Sequence, residues 1–125
     1  MGDEKPARIT SYRDLKAYQM SYELALEIHK ATRAFPVFER RELGSQLRRA
    51  AVSVPMNIAE GYGRKRSAEE FKRFLGIALG SCNEVSVILD LAFDLGYLVK
   101  EQHARLSGRI SEVGKMLTRL IQVWR

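Results

Sequence analysis

Apolar residues recur along this chain at spacings of three and four, and no segment sustains the strict alternation of a strand. That rhythm belongs to helices with a buried stripe, so the pattern predicts an all-α fold. A first helix is expected from about Asp14 to Ala34, stopped by Pro36, because the residue before a proline avoids helical geometry. A second should run from about Arg41 to Glu60, with Gly61 and Gly63 ending it through glycine's tolerance of left-handed backbone. A third opens at Ser67, where Glu70 completes a capping-box pattern, and continues to Leu95 before Gly96. A fourth covers roughly Lys100 to Val123. Its Leu106, Ile110, Val113, Leu117, Leu120 and Trp124 are spaced 4-3-4-3-4, the seam of a helix packed antiparallel to a neighbour. Short connections make an antiparallel up-down-up-down four-helix bundle of residues 11–125, behind a loose N-terminal tail of residues 1–10. Pro55 lies inside the second helix, where it removes one backbone bond and crowds the carbonyl near Ala51. That helix should therefore bend at Pro55. Leu47, Ala50, Val54 and Ile58 keep one face across the proline, which favours one bent helix over two.

Two of the helices are apolar on two sides. On the first, one stripe holds Leu15, Tyr18, Tyr22, Ala25, Leu26 and His29, and a second holds Ala17, Met20, Leu24, Ile28, Ala31 and Phe35. On the third, Phe71, Phe74, Leu75, Ala78, Cys82, Val85 and Leu89 make one face, and Ile77, Gly80, Val87, Leu91 and Leu95 another. A helix of a small monomeric bundle needs one buried stripe. A second left open would exceed the apolar patch that monomers usually carry, so self-association through the first and third helices is expected. The competing expectation is a wide stripe absorbed by bundle neighbours. Gly76 and Gly80 in the third helix raise the same choice between close helix approach and tolerated weakness.

Composition narrows the function classes. At 125 residues, 46% hydrophobic and 29% charged, the chain fits one globular domain. No run of consecutive apolar residues approaches a membrane span. The polar start MGDEKPARIT predicts no secretory signal, and Pro6 breaks the myristoylation pattern. Cys82 is the only cysteine, which excludes an intrachain disulfide and makes a cytoplasmic location the expectation. Net charge is +6, and it is localised. Between Arg40 and Arg73 stand nine cations against four acids, which accounts for five of the six net charges. Such a concentration points to an anionic partner or to a solubilising surface.

No catalytic or metal-binding constellation is visible, and no cofactor is expected. Glu27-Ile28-His29 and Glu101-Gln102-His103 place their polar groups two residues apart, which splays them, whereas a di-iron bundle needs Glu-x-x-His. A single cysteine builds no zinc site. His29 is expected as a satisfied core residue and Cys82 as an inert buried thiol. The run Gly61-Tyr62-Gly63-Arg64-Lys65-Arg66 follows a helix and lacks phosphate-loop spacing. It does precede a helix N-terminus, where amides and dipole favour anions, and Tyr62 is suited to stack on a base. Arg48 and Arg49 face the third helix in an antiparallel register, within reach of Glu84. A carboxylate on an apolar face wants a partner, so an ion pair to Glu84 is expected, inside the chain or across subunits.

The stretch from Gln46-Leu47-Arg48-Arg49-Ala50-Ala51 through Ser53, Pro55 and Asn57-Ile58-Ala59-Glu60-Gly61, followed by Gly80, Ser81 and Glu84, resembles the four-helix-bundle proteins encoded in intervening sequences of bacterial 23S ribosomal RNA genes. The likeness extends from about Ser11 to Leu120. Met56 stands where a small residue is usual, and Cys82 where an aliphatic one is. The resemblance implies a homopentamer of antiparallel bundles around a central channel. The accessory proteins of diversity-generating retroelements are similar, and imply nucleic acid and a reverse transcriptase as partners on a basic surface. By the resemblance Pro55, Asn57, Glu60 and Gly61 are packing and helix-end residues, and with the expected ion pair the structural polar network comprises Arg48, Arg49, Asn57, Glu60 and Glu84. The expected function is a non-enzymatic, homo-oligomeric nucleic-acid-binding accessory protein, contacting RNA or DNA backbone through Arg40, Arg41, Arg48, Arg49, Arg64, Lys65 and Arg66. The alternative is a protein-interaction scaffold with no nucleic-acid role.

Overall fold

A computed structural model describes residues 8–125. A 3-10 turn, Tyr12–Asp14, leads into α1 (Lys16–Thr32), the short α2 (Val37–Arg41), α3 (Leu43–Gly63), α4 (Ala68–Asp94) and α5 (Lys100–Val123). The four long helices form the expected antiparallel bundle, with α3 one bent helix across Pro55. The expected tail lies outside the described residues for its first seven positions. Its last, Thr10, is tied down: its N–H donates to Asp14 Oδ2 at 2.9 Å. Ser11 and Asp14 form a full capping box, a feature not among the expected elements. The bond from the Thr10 amide, chiefly, holds the Asp14 carboxyl below its ordinary range.

The core takes one stripe from each long helix. Leu24 and Ile28 of α1, Leu47, Val54 and Ile58 of α3, Phe71, Leu75, Val85 and Leu89 of α4, and Ile110, Val113 and Leu117 of α5 are essentially sealed from water. The other stripe of each doubly apolar helix stays largely uncovered by the chain itself: on α1 the one with Tyr22, Leu26 and His29, although its Leu15 and Ala25 are buried, and on α4 the one with Ile77, Val87 and Leu91. Tyr22 and Leu26 on α1 are 50% and 56% exposed, and Val87 of α4 and Leu95 at its C-cap are 58% and 54% exposed. The bundle's own neighbours therefore do not absorb them. His29 belongs to this outer side and is exposed, not core; its Nδ1 bonds the Ala25 carbonyl oxygen at 2.9 Å. By length and composition α4 is also apolar enough to cross a membrane, which a count of consecutive apolar residues does not show. Its apolarity is divided between the buried stripe and the exposed one.

The ends of α3 and α4 differ from expectation in instructive ways. Helix α3 does not stop at Gly61 but continues to Gly63. Gly61 is there for space: a Cβ on it would sit 2.6 Å from Phe74 Cβ and 3.0 Å from Phe71 Cδ1. Ser67 caps α4 by accepting from the Glu70 N–H at 3.1 Å, but the capping box is only half made. The Glu70 carboxylate turns to Arg73 instead, and that bond lowers its pKa. At the other end of α4, Gly96 has φ 86°, and the Tyr97 N–H reaches the Ala92 carbonyl at 2.8 Å. This is a left-handed helix exit of the expected kind.

Candidate nucleic-acid interface

The bundle has two ends, and the basic residues divide between them. At one end lies the α3–α4 turn with Arg64, Lys65 and Arg66. The C-terminus of α5 joins it, because the Trp124 ring packs edge-on to Phe71 at 4.7 Å. At the other end sits α2 with Arg40 and Arg41. It is fastened to the α4–α5 connection by the Tyr97 hydroxyl, which donates to Glu39 Oε2 at 2.8 Å. That bond, together with the carboxylate's charge, raises the tyrosine's pKa. The 21 residues of α3 separate the two basic groups, a distance of about 30 Å at helical rise. The seven cations singled out from sequence are therefore not one site.

At the α2 end, Arg48 is half-buried and internally committed. Its guanidinium donates to Thr32 Oγ1 at 2.9 Å and to the Arg40 carbonyl at 2.9 Å. It thereby ties the end of α1, α2 and α3 together. The Arg40 Nε donates to the Phe35 carbonyl at 3.1 Å, while Arg41 and Arg49 project into solvent. Arg48 and Arg49 do converge with His29, Ser45 and Asn57 around a groove of about 550 Å³ on the outer side of α3. Arg48→Ala should cost about 1.5–3 kcal/mol of stability, as a charged donor bonded to two acceptors is removed. Arg48→Lys should recover little, since one ammonium cannot reproduce the forked geometry. Urea unfolding measures both.

The expected ion pair to Glu84 is not formed inside the chain. Among the described residues Glu84 has no ion pair; it is exposed, and Arg48 is turned toward α1 and α2. The polar link that does join α3 to α4 runs through hydroxyls. Ser53 Oγ meets Ser81 Oγ at 2.8 Å, and Asn57 Nδ2 donates to Ser53 Oγ at 3.0 Å and to its carbonyl at 2.8 Å. Asn57 thus belongs to an interhelical network, whereas Glu60 pairs locally with Arg64 at 3.3 Å.

At the turn end, cations and aromatic rings interleave. The Arg64 and Arg73 guanidinium carbons lie 5.2 Å and 4.6 Å from the Phe74 ring centroid, and Lys65 Nζ lies 4.8 Å from that of Tyr62. Phe74, assigned to the core by its spacing, is only half-buried. Sequence reasoning missed it, although the cation-flanked Lys72-Arg73-Phe74 was a usable signal. Glu60 and Glu70 pair with Arg64 and Arg73 at 3.3 Å and 3.1 Å in solvent-exposed contacts, weak enough for a phosphate to displace. Arg66 has no ion pair among the described residues and is exposed.

Among the described residues no cluster of histidine, cysteine and carboxylate has metal-binding spacing. His103 Nε2 bonds Asp90 Oδ1 at 2.9 Å and its ring stacks on Phe93 at 4.5 Å, which occupies it structurally. Burial pushes the Cys82 thiol up to about 12, so it is inert as a nucleophile at neutral pH.

Bundle, polar seam and split basic ends define an all-helical protein with uncovered apolar faces. Residues 13–119 match the family model of the 23S rRNA-intervening sequence proteins, and the chain belongs to that family. It is also similar to a crystallised protein of unknown function from the S23 ribosomal protein family of Bacteroides thetaiotaomicron VPI-5482. The two are 28% identical with a TM-score of 0.77, over 86% of this chain and 99% of that one. Among the curated proteins there is no match.

Proposed function

We propose that the chain is a non-enzymatic, homo-oligomeric accessory protein that holds the backbone of RNA or DNA. The α3–α4 turn carries this reading: Arg64, Lys65 and Arg66 are exposed beside the Tyr62 and Phe74 rings, at the N-terminus of α4. Guanidinium groups, an ammonium and the half-buried Phe74 ring suit phosphate and base in a single strand. Arg41 and Arg49, at the opposite end, form a second and separate phosphate-binding region. Arg40 adds charge there while its Nε stays bonded internally. Assembly proceeds through the exposed faces of α1 and α4, in the pentamer that the family resemblance implies, with Glu84 available to pair with a cation of a neighbouring subunit. A bacterial cytoplasm and a reverse transcriptase or another protein partner fit this reading.

The second reading is a protein-interaction scaffold. Its support is a groove of about 390 Å³ between α1 and α3, lined by Tyr18, Tyr22, Leu26, Val52 and Met56, whose walls are chiefly apolar. The test is a salt series on fluorescently labelled single-stranded RNA and duplex DNA. The chain should bind both with little sequence preference. Arg64→Ala/Lys65→Ala/Arg66→Ala should flatten the slope of log affinity against log salt by about 2–3. An absence of binding near physiological salt, or an unchanged slope in the triple variant, supports the scaffold.

A further inference from the structure

Each groove between neighbouring helices has its own chemistry. The α1–α3 groove is apolar. The α1–α5 groove is crossed by Arg105–Glu27 at 2.8 Å and Arg109–Glu23 at 3.4 Å, so two of its cations already hold carboxylates. The α4–α5 groove differs from both. It encloses about 550 Å³ over a floor that includes Ile110, and its rims carry Asn83, Ser86, Lys115, Arg119 and Gln122. Among the described residues no carboxylate lines it. Lys115 and Arg119 have no ion pair among those residues, and both are exposed.

We infer that the α4–α5 groove is a track for a phosphodiester backbone, continuing the basic turn at Arg64–Arg66 along the side of the bundle. The inference rests on the nucleic-acid reading above and assigns residues that it does not include. Three observations converge. The first is position: Lys115, Arg119 and Gln122 belong to the C-terminal half of α5, which Trp124 anchors at the end carrying the turn. Helix α4 starts at that same end, directly after Ser67, and lines the groove from Leu79 onward, about three turns along it, so the end of the groove nearest the turn is its α5 side, at Gln122 and Arg119. A strand held at the turn therefore meets the mouth of the groove next. The second is chemistry. Two cations one helical turn apart on α5 suit successive phosphates, and the serine and amide side chains supply donors for phosphate and sugar oxygens. A binding site for a cation would instead need acids on the rims. The third is availability. Assembly through the exposed faces of α1 and α4 would consume the α1–α3–α4 side, whereas Lys115 and Arg119 stand on α5, outside those apolar stripes.

Lys115→Ala/Arg119→Ala tests the track against the same RNA and DNA probes. With two phosphates no longer neutralised, the salt slope should flatten by about 1.4 on single-stranded RNA and about 1.8 on duplex DNA. A probe whose slope the variant leaves unchanged does not enter the groove. The control is Lys16→Ala/Lys30→Ala, which removes the same charge from exposed positions on α1 and should leave the slope within error. If the groove and control variants shift the slope equally, overall charge and not the groove is responsible, and the track is refuted. If the wild-type chain binds and the Arg64–Arg66 variant loses slope while the groove variant does not, the groove alone is refuted. If the wild-type chain binds neither probe, the nucleic-acid reading fails and the track fails with it. All four changed side chains are exposed, so thermal melts should agree with wild type within a few degrees.

Discussion

Val87→Lys/Leu91→Lys should turn an assembly into free subunits of 14.3 kDa. Both side chains are on the exposed apolar stripe of α4, 58% and 47% open to solvent in the single chain. Lysine there costs the isolated bundle little, because exposed substitutions usually fall within about 0.5 kcal/mol. Leu91 lies in the last turn of α4, where added positive charge also suits the helix dipole. Buried between subunits, each ammonium would need a partner or lose several kcal/mol of hydration. Sedimentation equilibrium should therefore give the wild-type chain a multiple of the subunit mass and the variant a single copy. Melting of the variant should no longer depend on protein concentration. A wild-type chain that sediments as one copy at micromolar concentration would end the assembly proposal. It would also leave Ile77, Val87, Leu91 and Leu95 as an unexplained patch.

Gly61→Val should destabilise the bundle by about 2–3 kcal/mol, since overpacking a close contact forces backbone or rotamer shifts. The obstacle is rigid. The nearest atom is Phe74 Cβ, 2.6 Å from where the new Cβ would stand, and Phe71 lies behind it with no exposure. Alanine at the same position should also destabilise, though part of its cost is offset by about 1 kcal/mol of helix propensity. Gly108 in α5 gives the opposite sign. A Cβ there meets nothing within 4 Å, so Gly108→Ala should stabilise by about 0.5–1 kcal/mol. Urea denaturation of the three variants decides the matter. Equal responses at Gly61 and Gly108 would show that α3 and α4 do not approach as described.

These two glycines mark the boundary of what the chain makes legible before it folds. Both are helical, and a sequence prints the same letter for a glycine required by left-handed backbone, by close approach, or by nothing. Gly96 is recognisable as a helix exit because Leu95 ends an apolar period and Tyr97 starts a new segment. Gly61 imitates one because the apolar pattern breaks there too, and only the distance to Phe74 shows its real role. The basic residues pose a similar problem. Their density between Arg40 and Arg73 is plain, but the helix between them carries the two halves to opposite ends of the molecule. Arg48 looks equivalent to Arg49, yet one step along a helix turns a side chain by about 100°. That rotation sends Arg48 inward to Thr32 and leaves Arg49 in water. Lys115 and Arg119 are inconspicuous in a helix whose apolar seam dominates its pattern.

Periodicity and backbone stereochemistry are enough for the four long helices, their antiparallel order, the bend at Pro55 and the doubled apolar faces of α1 and α4. Those forces act between residues a few positions apart, so they are written in the order of the letters. Packing settles the rest: which of the doubled faces is buried, and why Gly61 has no side chain. It also settles that Ser53, Asn57 and Ser81 join α3 to α4 where an ion pair to Glu84 was expected, and which charges remain unpaired. Those outcomes depend on distances between groups far apart in the chain, and a distance exists only after the helices have packed.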